Sequence, residues 1–424
     1  MIYVAVLGYG TVGSGVYEVL NVNKASITKK VGQEIRIKYV LDLREFPGDP
    51  VMDVLTHDFQ QILDDPEVAI VAEVMGGTGA AYTFTKQALL AGKSVCTSNK
   101  ALVAAHGVEL LKIAREKGVN YMFEASCGGS IPIIRPMRTS LASEVIEEVT
   151  GILNGTTNYM LTRMDEDGLD YDTALAEAQA AGFAEADPSA DVDGLDAAAK
   201  IAILATLAFN SRVTIDDVYT EGIRNISPLD LEAARDMGYC VKLLALAHRS
   251  DAGIDVRVHP TMIPLEHQLA TVNGVYNAIY VTGDAVGDTM FFGAGAGSGP
   301  AASAVMGDVL EVARRIAFGI KPLSGDTCTD SIPLVPMNDL KTKYYIRFNA
   351  VDRPGVLAAM AGVFAEHGVS VRSVIQRGEG KGDSVDLVYI THTACEHDIQ
   401  QVVADIAKLD NVVLKEPSII RVEA

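Results

Sequence analysis

Short β-branched runs alternate with longer segments of helical spacing from residue 1 to about 125: IYVAVLG, IRIKYVLD, AIVAEVMGG, SVCTS and NYMFEA are the apolar runs. Such alternation predicts a parallel sheet with crossover helices, a doubly wound α/β domain. From residue 126 to about 300 the pattern changes. Alanine-rich stretches, TALAEAQAAGFAEA and DLEAARDMGYCVKLLALAHRS, predict helices, and IDVRVHPTMI and NAIYVTGD predict strands among them. An α+β second domain follows. The stretch GAGAGSGPAASAVMGDVLEVARRIAF predicts a glycine-rich loop and a long helix, which we return to the first domain at about residues 300–320.

The polar, proline-bearing run KPLSGDTCTDSIPLVPMNDLKT, residues 321–342, predicts a linker. Residues 343–424 then read strand, helix, strand, strand, helix, strand: YYIRFNAV, RPGVLAAMAGVFAEHG, VSVRSVIQRG, DSVDLVYITHT, EHDIQQVVADIAKL and NVVLKEPSIIRVE. That βαββαβ order is the ferredoxin-like arrangement and predicts a small regulatory or interaction module.

Composition narrows the function classes. With 49% hydrophobic and 21% charged residues, the 424-residue chain is a globular protein of two or three domains. A net charge of -20 argues against nucleic acid, whose binding depends on clustered lysine and arginine. No apolar run reaches the roughly 18–20 residues that span a bilayer, and the chain opens directly on a strand pattern, so a cytoplasmic protein without a membrane partner is expected. Five scattered cysteines without a CxxC pair suggest buried reduced thiols, and eight histidines show no zinc-ligand spacing.

Chemistry concentrates in four stretches. GYGTVG, with Gly8, Gly10 and Gly13, follows an apolar strand and precedes a helix, where glycines permit a tight turn and close approach to a pyrophosphate. This Rossmann-like context points to dinucleotide binding; a merely tight turn is the blander reading. Asp42, after the second strand, can accept a ribose 2'-hydroxyl and so favours NAD slightly. It lies beyond the roughly 20 positions usual for that residue, and Arg44 can instead meet the 2'-phosphate of NADP. In SVCTSNKALVAAHG, Lys100 opens a helix at the carboxyl edge of the sheet, either to meet a carboxylate or phosphate or simply as a solvated lysine.

The third stretch, DVDGLDAAAK followed by IAILATLAF, carries Asp196 and Lys200 one turn apart on a helix with no further charge before Arg212. Asp193 as N-cap and an ordinary helical ion pair would explain the pair. A helix apolar on nearly all sides is buried, however, and burial of an ammonium lowers its pKa toward the range of proton transfer. With Glu185, Asp187 and Asp191 just upstream in GFAEADPSAD, the cluster suits a site that grips an amino group and moves one proton. Fourth, Glu124 precedes a glycine-rich turn in FEASCGGSIPIIRP, a source of hard oxygen ligands or merely a crossing point between domains.

These stretches, together with GILNGTTNYM and GAGAGSGPAASAV, stand in the order found in homoserine dehydrogenases, and residues 1–320 resemble that family. The tail FNAVDRPGVLAAMAGVFAEHGVSVRSVIQ resembles an ACT domain. The resemblance implies NAD(P)-dependent, reversible reduction of L-aspartate 4-semialdehyde to L-homoserine, on the route to threonine and methionine. By matching motifs it implies a catalytic Lys200, a second lysine Lys100 near cofactor and substrate, and Glu185, Asp196 and Asp191 at the substrate's amino end. Gly10, Thr11, Val12, Gly182 and Gly297 match cofactor contacts. Glu124, Cys127, Gly129 and Ile131 match a monovalent cation site, generally sodium, the last three through backbone carbonyls.

Threonine as an effector at DRPGVLA, where Pro354 and Gly355 open a helix, and a homodimer or homotetramer whose protomers meet in the second domain are further implications of the resemblance. A rival from another class is a non-catalytic sensor of dinucleotide and amino acid. Lys200, Glu185 and Asp196 together argue against it, because a sensor needs no proton donor.

Overall fold

The computed structural model describes residues 1–322, 328–377 and 384–423. Residues 323–327, in the expected linker, and 378–383, between two C-terminal strands, lie outside the described residues, as does residue 424. The chain divides into two compact units, residues 1–149, 199–218 and 276–332 in the first and residues 150–198, 219–275 and 333–424 in the second.

The first unit contains six parallel strands: β1 (Ile2–Leu7), β2 (Ile35–Leu41), β3 (Leu55–Thr56), β4 (Val68–Glu73), β5 (Ser94–Thr97) and β6 (Tyr121–Met122). Their order is β3-β2-β1-β4-β5-β6. Helices cover both faces of such a sheet, which is why β1 and β4 read as near-continuous apolar runs. The order reverses between β1 and β4, and ligands of open α/β sheets bind at the carboxyl ends of the strands at that point.

The helix Ser298–Phe318, remote in sequence, shares this core: Ala302, Val305, Val309 and Val312 are buried with Val4, Val6, Val16 and Leu20. Gly15 makes the approach possible, since a Cβ there would stand 2.9 Å from the Ala302 Cβ. The hairpin Tyr276–Gly283 and Gly287–Ala294 belongs to the same unit.

In the second unit, Tyr239–Ser250 and Gly253–Pro264 pair antiparallel along their whole length. This corrects the helix expected over DLEAARDMGYCVKLLALAHRS. Only Pro228–Asp236 is helical, Gly238 then turns the chain at φ +82, and YCVKLLALAHRS is a strand. Leucine and alanine favour helix locally, but every residue of this run faces a partner across the hairpin, and pairing outweighs so weak a preference.

The C-terminal module has the expected βαββαβ order, with strands Lys341–Val351, Val371–Arg377, Ser384–Thr391 and Ser418–Val422 and helices Val356–Glu366 and Glu396–Ala407. Tyr344, Phe348, Phe364, Tyr389, Ile399 and Val402 form its core. Its last strand is shorter than the expected NVVLKEPSIIRVE, beginning only after Pro417, which has no N–H to give to a ladder. That strand continues the sheet in both directions, pairing antiparallel with Lys341–Val351 and parallel with Gly253–Pro264.

Candidate active site

In the first unit the GYGTVG loop joins β1 to the helix Thr11–Val22, whose N-cap is Gly10. Gly8 has φ +99, and a Cβ at Gly13 would overlap the Gly8 carbonyl oxygen, so the turn tolerates no side chain at either position. A Cβ at Gly10 would project into open space beside the helix N-terminus, and the first turn carries no acidic residue. This is a cradle of amide donors and positive helix dipole fitted to a pyrophosphate. Thr11 and Val12 occupy that first turn, and the Ser298 hydroxyl donates to the Thr11 carbonyl at 2.7 Å, which brings Gly297, at φ +121, to the same loop.

Asp42 stands at the end of β2 and accepts the Tyr9 N–H at 2.8 Å, tying the glycine loop to the sheet. It also accepts the Arg44 N–H, Nε and Nη2 at 2.9, 3.0 and 2.9 Å. The Arg44 guanidinium holds its carboxyl well below the usual carboxylate range. Arg44 itself is mostly exposed and lies over the Phe46 ring. The end of β2 therefore presents a fixed anion beneath a surface cation.

Lys100, half-buried, is the first residue of the helix Lys100–Lys117. Its position is set by three residues that the sequence reading passed over. Asn99 caps the helix by accepting the Leu102 N–H and donates to the Gly77 carbonyl at 2.6 Å. Thr97 accepts the Asn99 N–H and donates to the Glu73 carboxyl at 2.5 Å, while Glu73 also accepts the Met75 N–H at 2.8 Å. Glu73 is fully buried, and desolvation pushes its carboxyl up to about 7. The available signal was a lone acid closing an otherwise apolar strand at the carboxyl edge of the sheet.

The helix Leu195–Phe209 is buried from Asp196 to Ala205, with Asp196 7% and Lys200 9% exposed. It starts one residue later than an Asp193 cap requires, and Gly194, at φ +84, precedes it. Asp193 is corrected from N-cap to an ion-pair partner of Arg224. In the second unit one Asn154 Nδ2 donates to Asp191 at 2.6 Å and to Asp196 at 2.9 Å, bringing the two acids together. Asn154 also caps the helix Gly155–Asp167, accepting the Thr157 N–H through its side-chain oxygen.

Gly182 and Glu185 lie in the exposed turn after the helix Tyr171–Ala180. The turn is held through its main chain, the Thr156 hydroxyl donating to the Phe183 carbonyl and the Gln179 amide to the Glu185 carbonyl.

The loop from Glu124 to Ile131 is held unusually firmly. The buried Glu124 carboxylate accepts the N–H groups of Ile133, Ile134 and Arg135 at 2.6, 2.9 and 2.7 Å, and its own N–H goes to Asp308 at 2.9 Å. Asp308 also accepts Arg135 at 2.6 Å, and burial pushes its carboxyl up to about 7. Gly128 and Gly129 have φ +70 and +56, and a Cβ at Gly129 would strike the Gly295 carbonyl. Cys127 is buried, with Sγ 3.7 Å from the Lys200 carbonyl oxygen. No cluster of three or more His, Cys, Asp or Glu residues able to hold a metal occurs among the described residues.

A dinucleotide cradle at the switch point of a doubly wound sheet, a lysine on its carboxyl edge, and a buried acid and lysine on one helix define a nicotinamide-nucleotide-dependent oxidoreductase. The homoserine dehydrogenase sequence pattern matches residues 132–310, that family's NAD-binding domain matches residues 8–124, and the ACT domain matches residues 344–411. The homoserine dehydrogenase of Corynebacterium glutamicum is 42% identical over 99% of this chain and 95% of its own, and that of Synechocystis sp. is 44% identical over 99% of each. Among solved structures, a homoserine dehydrogenase from Thiobacillus denitrificans is 39% identical, covers 100% of this chain and 98% of its own, and superposes with a TM-score of 0.92. A hyperthermophilic archaeal homoserine dehydrogenase mutant, in complex with NADPH, is 26% identical over 73% of this chain and 97% of its own, with a TM-score of 0.63. The chain belongs to the homoserine dehydrogenase family.

Proposed function

We propose that this enzyme interconverts L-aspartate 4-semialdehyde and L-homoserine, with Lys200 as the group that moves the proton. The observation that carries this reading is the burial of Asp196 and Lys200 one turn apart on an apolar helix. The charged forms of such groups are costly to bury, and transfer of a proton is a use for them there. In reduction Lys200 gives its proton to the aldehyde oxygen; in oxidation it takes the proton of the alcohol. Asp191 and Asp196, aligned by Asn154, bind the substrate ammonium with Glu185, and this orients the reacting carbon. Lys100 stabilises negative charge at the reacting oxygen.

Gly8, Gly10, Thr11, Val12, Gly13, Gly182 and Gly297 would hold NAD or NADP, with Asp42 and Arg44 meeting its ribose, and the bound nucleotide supplies or accepts the hydride. A monovalent cation, sodium in this reading, would take the main-chain carbonyls of Glu124, Cys127, Gly129 and Ile131. The Glu124 carboxylate is engaged by three amides, so its contribution is the carbonyl. The ACT domain fits regulation by an amino acid, for which we propose threonine, and the working unit is a homodimer or homotetramer. The non-catalytic sensor is not favoured, since the full-length relatives are dehydrogenases.

The test is homoserine-dependent reduction of NAD and of NADP by purified protein, followed by nicotinamide absorbance with and without threonine. Turnover is expected in the wild type and a loss of roughly 10²–10⁴-fold in Lys200→Ala. Near-normal turnover with an unchanged pH profile in the variant would remove Lys200 from its role.

A further inference from the structure

We propose that Arg421, in the last strand of the C-terminal module, is a positioning residue for the acidic substrate loop and acts on it through Glu221. The proposal rests on the reading above that Asp191 and Asp196 hold the substrate ammonium, and every residue in it belongs to the second unit.

Arg421 is 1% exposed. Its Nε and Nη2 donate to Glu396 at 3.0 and 2.6 Å, where the helix Glu396–Ala407 of the module begins. Its Nη1 donates to Glu221 at 2.7 Å and Nη2 to the Tyr219 hydroxyl at 3.2 Å, with the guanidinium over the Tyr219 ring. One planar cation thus joins a carboxylate of the ACT module to one outside it, using the fork geometry that lysine lacks.

Beyond Glu221 the contacts leave no slack. A Cβ at Gly222 would overlap the Val192 carbonyl oxygen and stand 2.6 Å from the Asp193 Cα. The Ile223 N–H donates to that same carbonyl at 2.9 Å. Arg224 pairs with Asp193, and a Cβ on Gly194 would lie 3.1 Å from the Thr220 methyl. Residues 219–224 therefore form the wall against which residues 192–194 are laid, immediately between Asp191 and Asp196. Close-packed contacts without voids pass a displacement on rather than absorb it, so a shift of Arg421 moves the acids or breaks the Ile223 bond. Other ion pairs also tie the module to the rest of the unit, Arg347 with Asp230, Arg377 with Asp236 and Arg257 with Glu423. None of them touches residues 189–194, and they serve as controls.

The experiment uses full-length protein with Glu221→Gln. Glu221 is partly exposed and Arg421 keeps Glu396 as its counter-ion, so the fold is retained. A rise in KM for homoserine of about 3–10-fold, with KM for the nucleotide and kcat near wild type, is expected, and Glu423→Gln should move none of them. Hydrogen exchange supplies a readout independent of activity: the Ile223 amide and those of residues 191–194 should exchange faster in Glu221→Gln. An unchanged homoserine KM together with unchanged protection would overturn the proposal. Faster exchange in a protein that does not oxidise homoserine would uphold the link and overturn the functional reading instead.

Discussion

Replacing Glu73 by glutamine removes a buried carboxyl while preserving its shape. Its carboxyl is raised from 4.5 to about 7, chiefly by burial, against the opposing bonds from Thr97, Met75 and Asn99. The folded protein thus holds this proton more tightly than the unfolded chain does. The stability it contributes is complete below about pH 4.5, falls as the unfolded chain ionises, and is lost once pH passes 7. At about 1.4 kcal/mol for each tenfold change in proton affinity, the loss is about 3 kcal/mol.

Glutamine has no proton to lose, so Glu73→Gln should grow more stable relative to wild type as pH rises from about 5 to about 8. Paired urea unfolding curves at each pH measure that difference, and the titration of Asp308, common to both proteins, cancels. A stability difference that stays constant across this range would refute the reasoning, because it would mean Glu73 takes no part in the proton uptake.

Two further outcomes follow from contacts already described. Gly13→Ala should abolish tight binding of reduced nicotinamide nucleotide, read by its fluorescence, with little change in circular dichroism, because the new methyl overlaps the Gly8 carbonyl inside the turn. Asp230→Ala should destabilise the protein by roughly 3–5 kcal/mol, measured by thermal melting. The change removes the fully buried carboxylate that accepts the Tyr345 hydroxyl and the Arg347 guanidinium, and leaves Arg347 the more distant Asp386 at 3.5 Å and the Ser227 hydroxyl, and the double variant Asp230→Ala, Arg347→Met should recover part of that loss.

Local sequence was sufficient wherever one element's own pattern settles the matter. The parallel strands, the glycine cradle and the βαββαβ order of the tail were legible because apolar periodicity and turn glycines act over a few residues. The same holds for the buried lysine and acid of Leu195–Phe209, whose spacing along one helix is fixed by 3.6 residues per turn. Where the sequence reading went wrong, the deciding partner lay far along the chain. YCVKLLALAHRS is a strand because Gly253–Pro264 pairs with it, and Asp193 leaves its cap because Arg224 claims it.

Only the tertiary structure could make Asn154 the bridge between Asp191 and Asp196, or turn the Glu124 carboxylate into a clamp on three amides. The C-terminal module looked separable by composition, yet its last strand is shared with Gly253–Pro264 and its Arg421 is buried against Glu221. Periodicity reports which face of an element is apolar, and the chain's own order reports which element comes next. Which distant backbone fills an open sheet edge, and which carboxylate a buried guanidinium meets, depends on packing between segments that the linear pattern keeps far apart.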